Sequence, residues 1–132
     1  MRVSLSLGSS LAKYLFKKKF LSKERFPLVL MLEVTHLCNL ACEGCGRIRE
    51  YKETMREMLS VEECIQAVDE CPAPVVTVTG GEPLMHPEID KIISAIIEKK
   101  RHIYLCTNGI LLADAIKKLK PNKYFNINIH ID

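Results

Sequence analysis

Four apolar runs alternate with stretches of helical periodicity, and this order restricts the fold more than any other feature of the chain. "FPLVLMLEV" (26–34), "PVVTVTGG" (74–81), "HIYLCTNG" (102–109) and "YFNINIHID" (124–132) read as strands. The first is opened by Pro27 and is long enough to be a buried strand. Ser60 and Glu63 form a capping box ahead of Val61, Cys64, Ile65 and Val68, which recur at helical spacing. Pro87 can begin a helix striped by Ile89, Ile92, Ile93, Ile96 and Ile97, and Leu112, Ile116 and Leu119 mark a further one. The order β-α-β-α-β-α-β predicts a parallel sheet with right-handed crossovers, either open or curled into a barrel. The last strand discriminates. Phe125, Ile127, Ile129 and Ile131 fall on one face, and Asn126, Asn128, His130 and Asp132 on the other. A central strand of a doubly wound sheet is apolar on both faces. A polar inner face suits a barrel whose lumen holds a ligand at the C-terminal ends of its strands. Four strands do not close a barrel, so the 132 residues read as the first part of a longer protein or as a truncated product.

"THLCNLACEGCG" (35–46) follows the first strand, at the rim where such folds place their chemistry. Its cysteines, Cys38, Cys42 and Cys45, number three, where a closed tetrahedral metal site needs four ligands. The segment is polar and glycine-bearing, which argues against three thiols packed as small core residues. His36 can complete a Cys₃His zinc site, although only one residue separates it from Cys38. Alternatively, three thiolates on a four-iron cluster leave one iron open to a small molecule. No run is apolar and long enough to span a bilayer, and the N-terminus lacks a secretory core, so a reducing cytoplasm is the expected setting. Six cysteines there point to metal or catalysis before disulfides.

Charge is unevenly distributed. Residues 1–26 carry seven basic residues and one acid, whereas residues 27–132 carry twelve basic and fifteen acidic ones. The chain therefore divides into a basic leader, 1–26, and a mildly acidic body, 27–132. Leu11, Leu15 and Phe16 can share one face of a leader helix, with Lys13, Lys17 and Lys18 on others. Such a helix can lie on an anionic membrane surface, or can be a solvated helix packed loosely on the body. The body offers no second basic patch, which disfavours nucleic acid as a partner.

Cys38-x-x-x-Cys42-x-x-Cys45 after an apolar strand resembles the cluster motif of radical S-adenosylmethionine (SAM) enzymes. Gly80, Gly81, Glu82 and Pro83 after the second strand resemble that superfamily's GGEP element. Thr107, Asn108 and Gly109 after the third resemble a further recurring one. The resemblance spans 27–132. It implies the N-terminal part of a partial (β/α)₆ TIM-like barrel that binds a [4Fe–4S] cluster and SAM. By that resemblance Cys38, Cys42 and Cys45 hold the cluster, and SAM's methionine moiety chelates the fourth iron. The reduced cluster then cleaves SAM to methionine and a 5′-deoxyadenosyl radical. The Gly80 or Gly81 carbonyl and the Glu82 carboxylate accept from the SAM ammonium, with Pro83 stiffening the turn. Thr107 and Asn108 stand beside them, and Asn128, His130 and Asp132 occupy a strand that contacts the SAM ribose. One departure is Gly44, where the superfamily often has an aromatic residue; backbone contacts must then support the adenine.

A closer resemblance, carried by "FPLVLMLEVTHLCNLACEGCGRI", "LSVEECIQAVDECPAPVVTVTGGEPLMHPEID" and "YLCTNGILL", is to the radical SAM enzymes of hopanoid biosynthesis. It implies addition of the adenosyl radical to the alkene of a hopene, giving adenosylhopane, with a donor such as flavodoxin or ferredoxin supplying electrons. Addition leaves a carbon radical that needs a hydrogen atom. Cys106 is the candidate donor: alternation sets Tyr104, Cys106 and Asn108 on one face and Ile103 and Leu105 on the other. The competing role for Cys106 is a buried structural thiol. Cys64 and Cys71 lie on a helix, where core packing is expected. Glu33 and Thr35, and Thr77 and Thr79, are further candidates for the lumen, and residues 47–58 read as a lid or a solvated loop. Two rival functions remain: radical hydrogen abstraction from a peptide or small metabolite, and a zinc-binding interaction module.

Overall fold

The computed structural model describes residues 5–20, 25–46 and 53–131. Helix α1 (Leu5–Phe20) is followed by β1 (Val29–Glu33), α2 (Val61–Glu70), β2 (Val75–Thr79), a 3₁₀ turn (Pro83–Met85), α3 (Ile89–Glu98), β3 (His102–Thr107), α4 (Leu112–Ala115) and β4 (Phe125–Ile129). The strands form one sheet in the order β1-β2-β3-β4, every pair parallel. Strand order that follows chain order without reversal is the winding of a barrel; a doubly wound sheet reverses at a switch point. The alternation of Phe125 to His130 therefore identified the architecture correctly.

The two sheet faces are chemically distinct. Leu32, Val34, Val76, Val78, Ile103 and Leu105 are buried against Cys64 and Val68 of α2 and Ile92, Ile93 and Ile96 of α3. The opposite face carries Met31, Thr77, Thr79 and Cys106 into a cavity. Register fixes the latter set: Met31 pairs with Thr77, Thr77 with Tyr104, and Cys106 with Asn128. β1 departs from the buried strand its composition suggested. It lies at the sheet edge, where Val29 is 49% and Met31 69% exposed, and only its helix-facing residues are covered.

The capping box at α2 forms as expected. The Glu63 amide donates to Ser60 Oγ at 3.1 Å, and the Ser60 amide donates to Glu63 Oε2 at 2.7 Å. Ile89, Ile92, Ile93 and Ile96 of the α3 stripe are buried and Ile97 is partly so, although the helix begins at Ile89 and the 3₁₀ turn precedes Pro87. α4 is shorter than its apolar spacing implied: one turn is regular, Leu119 is buried and Ile116 is 54% exposed. Cys64 is fully buried, which pushes its thiol up to about 11, whereas Cys71 only caps the end of α2 and is half-buried.

α1 crosses the N-terminal ends of the strands. Its Tyr14 hydroxyl donates to the Pro27 carbonyl at 2.7 Å, and Ser10 Oγ meets His102 Nε2 at 3.2 Å. Leu7 is buried on this inner side, while Leu15 and Phe16 are exposed. The expected single face of Leu11, Leu15 and Phe16 is therefore not formed. Helical spacing places Leu11 with Leu7 and Tyr14, and turns Phe16 away from the body. Residues 1–4 and 21–24 of the leader lie outside the described residues.

Replacing Ile96, at the centre of the α3 stripe and 1% exposed, by alanine should cost about 2–5 kcal/mol. Urea denaturation should show this as a lower midpoint with an unchanged slope.

Candidate active site at the C-terminal ends of the strands

The site is assembled from three strand ends. β1 leads into the cysteine loop, which is held along the next strand's turn by backbone bonds. The Val34 amide donates to the Thr79 carbonyl at 3.0 Å, the Gly81 amide to the Thr35 carbonyl at 2.9 Å, and the Glu82 amide to the Leu37 carbonyl at 2.7 Å. Gly80 has φ +144°, and a Cβ there would run into the Thr35 carbonyl oxygen. A glycine is required because the turn passes directly against the base of the cysteine loop.

Glu82 joins this turn to the third strand. Its side chain is fully buried. Oε1 accepts from the Thr107 hydroxyl at 2.7 Å and from the Leu84 amide at 3.0 Å, and Oε2 accepts from the Asn108 amide at 2.8 Å. Thr107 Oγ1 in turn accepts from the Gly109 amide at 3.0 Å, and Asn108 Oδ1 accepts from the Ile110 amide at 3.0 Å. Asn108 Nδ2 then donates to Asn39 Oδ1 at 2.7 Å, inside the cysteine loop. The Glu82 carboxylate, expected to accept from a SAM ammonium, accepts here from three of the chain's own donors. Glu82 and the buried Pro83 stand behind the cavity wall, and Gly80 and Gly81 face the cavity.

The cavity has a volume of about 450 Å³. Cys38, Cys42 and Cys45 line it, as do Thr77, Thr79, Cys106, Thr107, Asn108 and His130. All six cysteines are free thiols. Cys38 and Cys42 are exposed. Cys38 Sγ accepts from the Leu40 amide at 3.4 Å, and the Cys45 amide closes a turn on the Cys42 carbonyl at 3.2 Å. Gly44, at the position where an aromatic residue was expected from the resemblance, has φ +83°. The left-handed turn between Cys42 and Cys45 is the physical reason a glycine stands there.

Cys106 is a different kind of thiol. It lies on the sheet rather than in the loop, and Ile103 and Leu105 point to the opposite side, into the core. Burial raises its pKa, and a hydrogen bond with the Asn128 side chain pulls the other way. Asn128 therefore supports Cys106 across the β3–β4 register, while His130 reaches the cavity and its amide donates to the Thr107 carbonyl at 2.9 Å. Asp132 lies outside the described residues. Of the other lumen candidates, Thr77 and Thr79 line the cavity. Thr35 is buried with its hydroxyl accepting from the Leu37 amide at 3.1 Å, and Glu33 lies 4.0 Å from His36.

Three wall residues were not anticipated: Met31, Leu40 and Met55. Met31 follows from the alternation of β1, but Met55 belongs to the segment 47–58, whose chain path sequence periodicity does not define. Its described part, from residue 53, runs back along the end of β1, with an antiparallel bridge between Thr35 and Met58. Residues 47–52 lie outside the described residues.

The donor set suits a cluster better than a zinc ion. His36 Nδ1 donates to the Thr54 carbonyl at 3.0 Å, with the Thr54 hydroxyl at 3.2 Å, and the residue lines the cavity beside the cysteines. Among the described residues no three metal-ligating side chains converge as a closed ion site. The three thiols line one cavity, and a three-thiolate set is what a four-iron cluster with one open iron needs.

Residues 32–132 match the radical SAM superfamily. The chain belongs to it. Its relatives include the GTP 3',8-cyclase of Clostridium perfringens, 34% identical over 110 residues that make up 78% of this chain and 34% of the cyclase. GTP 3',8-cyclase 3 of Mycobacterium bovis is 36% identical over 113 residues, covering 78% of this chain and 30% of the relative. Among solved structures, Streptococcus suis SuiB bound to S-adenosylmethionine superposes with a TM-score of 0.67 at 25% identity, over 92% of this chain and 29% of SuiB. SuiB bound to its precursor peptide SuiA gives 0.68 at 22% identity, over 98% of this chain and 30% of SuiB. The chain thus spans about a third of the length of the curated relatives it matches. Enzymes of this superfamily use a [4Fe–4S] cluster and SAM, and the fold is the corresponding part of a TIM-like barrel.

Thr107→Val should remove one of the donors to the buried Glu82 carboxylate and cost about 1–3 kcal/mol, while Thr107→Ser should restore most of it. Paired denaturation curves of the two variants check this.

Proposed function

We propose that the chain carries the first part of a radical SAM enzyme that adds the 5′-deoxyadenosyl group of SAM to the alkene of a hopene-type lipid, giving adenosylhopane. The observation that carries this reading is a second class of thiol in the cavity. Cys38, Cys42 and Cys45 account for cluster ligation, which leaves Cys106 on the cavity floor without a ligand role. The methionine and leucine wall formed by Met31, Leu40 and Met55 suits a hydrocarbon substrate.

In this reading SAM is consumed as a substrate. A [4Fe–4S] cluster, when bound, supplies the single electron that SAM cleavage requires. Cys38, Cys42 and Cys45 would hold it, with the methionine end of SAM beside them. Gly80 and Gly81 allow the backbone, with its carbonyl acceptors, to approach that end closely. Thr107 and Asn108 stand at the same rim, and Asn128, His130 and Asp132 are the fourth-strand residues assigned to the nucleoside side.

Cys106 completes the addition. Once the new carbon–carbon bond has formed, the unpaired electron sits on the lipid. The Cys106 S–H bond breaks homolytically and a C–H bond forms, leaving a thiyl radical. One electron and one proton restore the thiol; a flavodoxin- or ferredoxin-type donor is the expected electron source. Burial favours the protonated thiol, which is the form that has a hydrogen atom to give.

The kinship with GTP 3',8-cyclases favours a second reading, in which the same radical abstracts hydrogen from a small metabolite or a peptide. Product analysis separates the two. Addition keeps adenosine on the product, and abstraction releases 5′-deoxyadenosine.

Serine at Cys38, Cys42 or Cys45 should abolish reductive SAM cleavage; anaerobic iron and sulfide analysis with a visible spectrum checks cluster loading. One zinc and no iron after reconstitution would overturn the enzyme reading. Cys106→Ala should retain cluster loading and SAM consumption but fail to give clean adenosylhopane, with new adenosyl-containing by-products by mass spectrometry. Normal product at the normal rate from Cys106→Ala would remove the donor role.

A further inference from the structure

α1 has two opposed apolar sides, and among the described residues only one is covered. At 100° per residue, Leu7, Leu11 and Tyr14 share the inner side. Leu7 is buried there, and the Tyr14 ring meets Phe26 edge-on at 5.8 Å between centroids. On the outer side Leu5 is 94%, Phe16 66% and Phe20 71% exposed. Phe16 and Phe20 lie one turn apart with ring centroids 4.4 Å from each other, forming a continuous aromatic ridge. Helical spacing puts Lys13 and Lys17 on one flank of that ridge and Lys19 on the other, and the helix contains no acid. Lys18 is instead drawn back over the Tyr14 ring at 5.3 Å.

We propose that this outer side of α1 is a docking surface for an anionic lipid bilayer. An aromatic and leucine ridge between rows of lysine fits the boundary between acyl chains and negatively charged headgroups. The same pattern disfavours a second copy of the chain, because pairing the ridges would bring like-charged lysine rows together, and protein interface cores are depleted in lysine. The inner contacts to Pro27 and His102 fasten the helix to the N-terminal ends of the strands, opposite the cavity. The surface is therefore a tether on the barrel floor, with the cavity mouth turned away from the bilayer. It does not depend on the identity of the lipid or metabolite that enters the cavity.

Co-sedimentation of the purified protein with vesicles tests this. The protein should bind mixed phosphatidylcholine–phosphatidylglycerol vesicles at low salt, lose that binding at high salt, and ignore phosphatidylcholine alone. Each flanking lysine contributes about fivefold, so a Lys13→Gln, Lys17→Gln, Lys19→Gln variant should bind on the order of 100-fold more weakly. F16S/F20S should abolish binding while leaving the melting temperature and sedimentation coefficient unchanged. Equal vesicle binding by wild type and both variants would overturn the proposal. So would an F16S/F20S variant that melts earlier or changes oligomeric state, since either result assigns the ridge to a protein contact.

Discussion

A single buried carboxylate holds the three parts of this site in register. Glu82 receives the Thr107 hydroxyl and the Leu84 and Asn108 amides, so the turn after β2 and the turn after β3 cannot move independently. A buried carboxylate lacking such donors would be strongly unfavourable, and this condition fixes the geometry around it. Thr107 must present its hydroxyl inward, Asn108 must present its amide, and the chain must turn at once through Gly109 at φ +82°. Asn108 then reaches Asn39, and the cysteine loop is coupled to the same network. Glu82 does not touch the cavity, yet it sets where three of the cavity's walls stand.

The sheet separates structural and chemical roles by parity. Residues of one parity bury aliphatic surface against α2 and α3, and residues of the other parity carry threonine, methionine and thiol groups to the cavity. A register slip of one residue would exchange the two sets. The buried set contains Val76, Val78, Ile103 and Leu105, all almost completely inaccessible. This core defines the strand positions, and the placement of Cys106 in the cavity follows from it.

What could be read from the sequence was whatever depends on local periodicity or on a compact motif. The α3 stripe, the Ser60–Glu63 cap, the parallel order and the clustering of the cysteine loop with Gly80, Gly81, Thr107 and Cys106 all belong to that class. What could not be read depends on which elements become neighbours. The burial of Glu82 arises from adjacency of the β2 and β3 ends, and the residues themselves equally allow an exposed acid. β1 looked buried because its composition is apolar, but burial is a property of its edge position. The two-sided character of α1 was missed for a related reason: Leu11 and Phe16 are both apolar, and only contact with the strand ends distinguishes inner from outer.

The four cavity thiols stand in two backbone settings, and these suit the two roles proposed for them. Cys38 and Cys42 sit in an exposed loop closed by short turns, where side chains can adjust to a metal centre. Cys106 sits on a strand whose neighbours fix its position and whose burial raises its pKa. A metal ligand needs the thiolate, whereas a hydrogen-atom donor needs the intact S–H bond. Exchanging the two environments would impair both tasks: a desolvated ligand would hold its proton, and a flexible donor would be free to move onto the metal. The separation between loop and strand therefore allows thiols of both kinds to share one cavity of about 450 Å³.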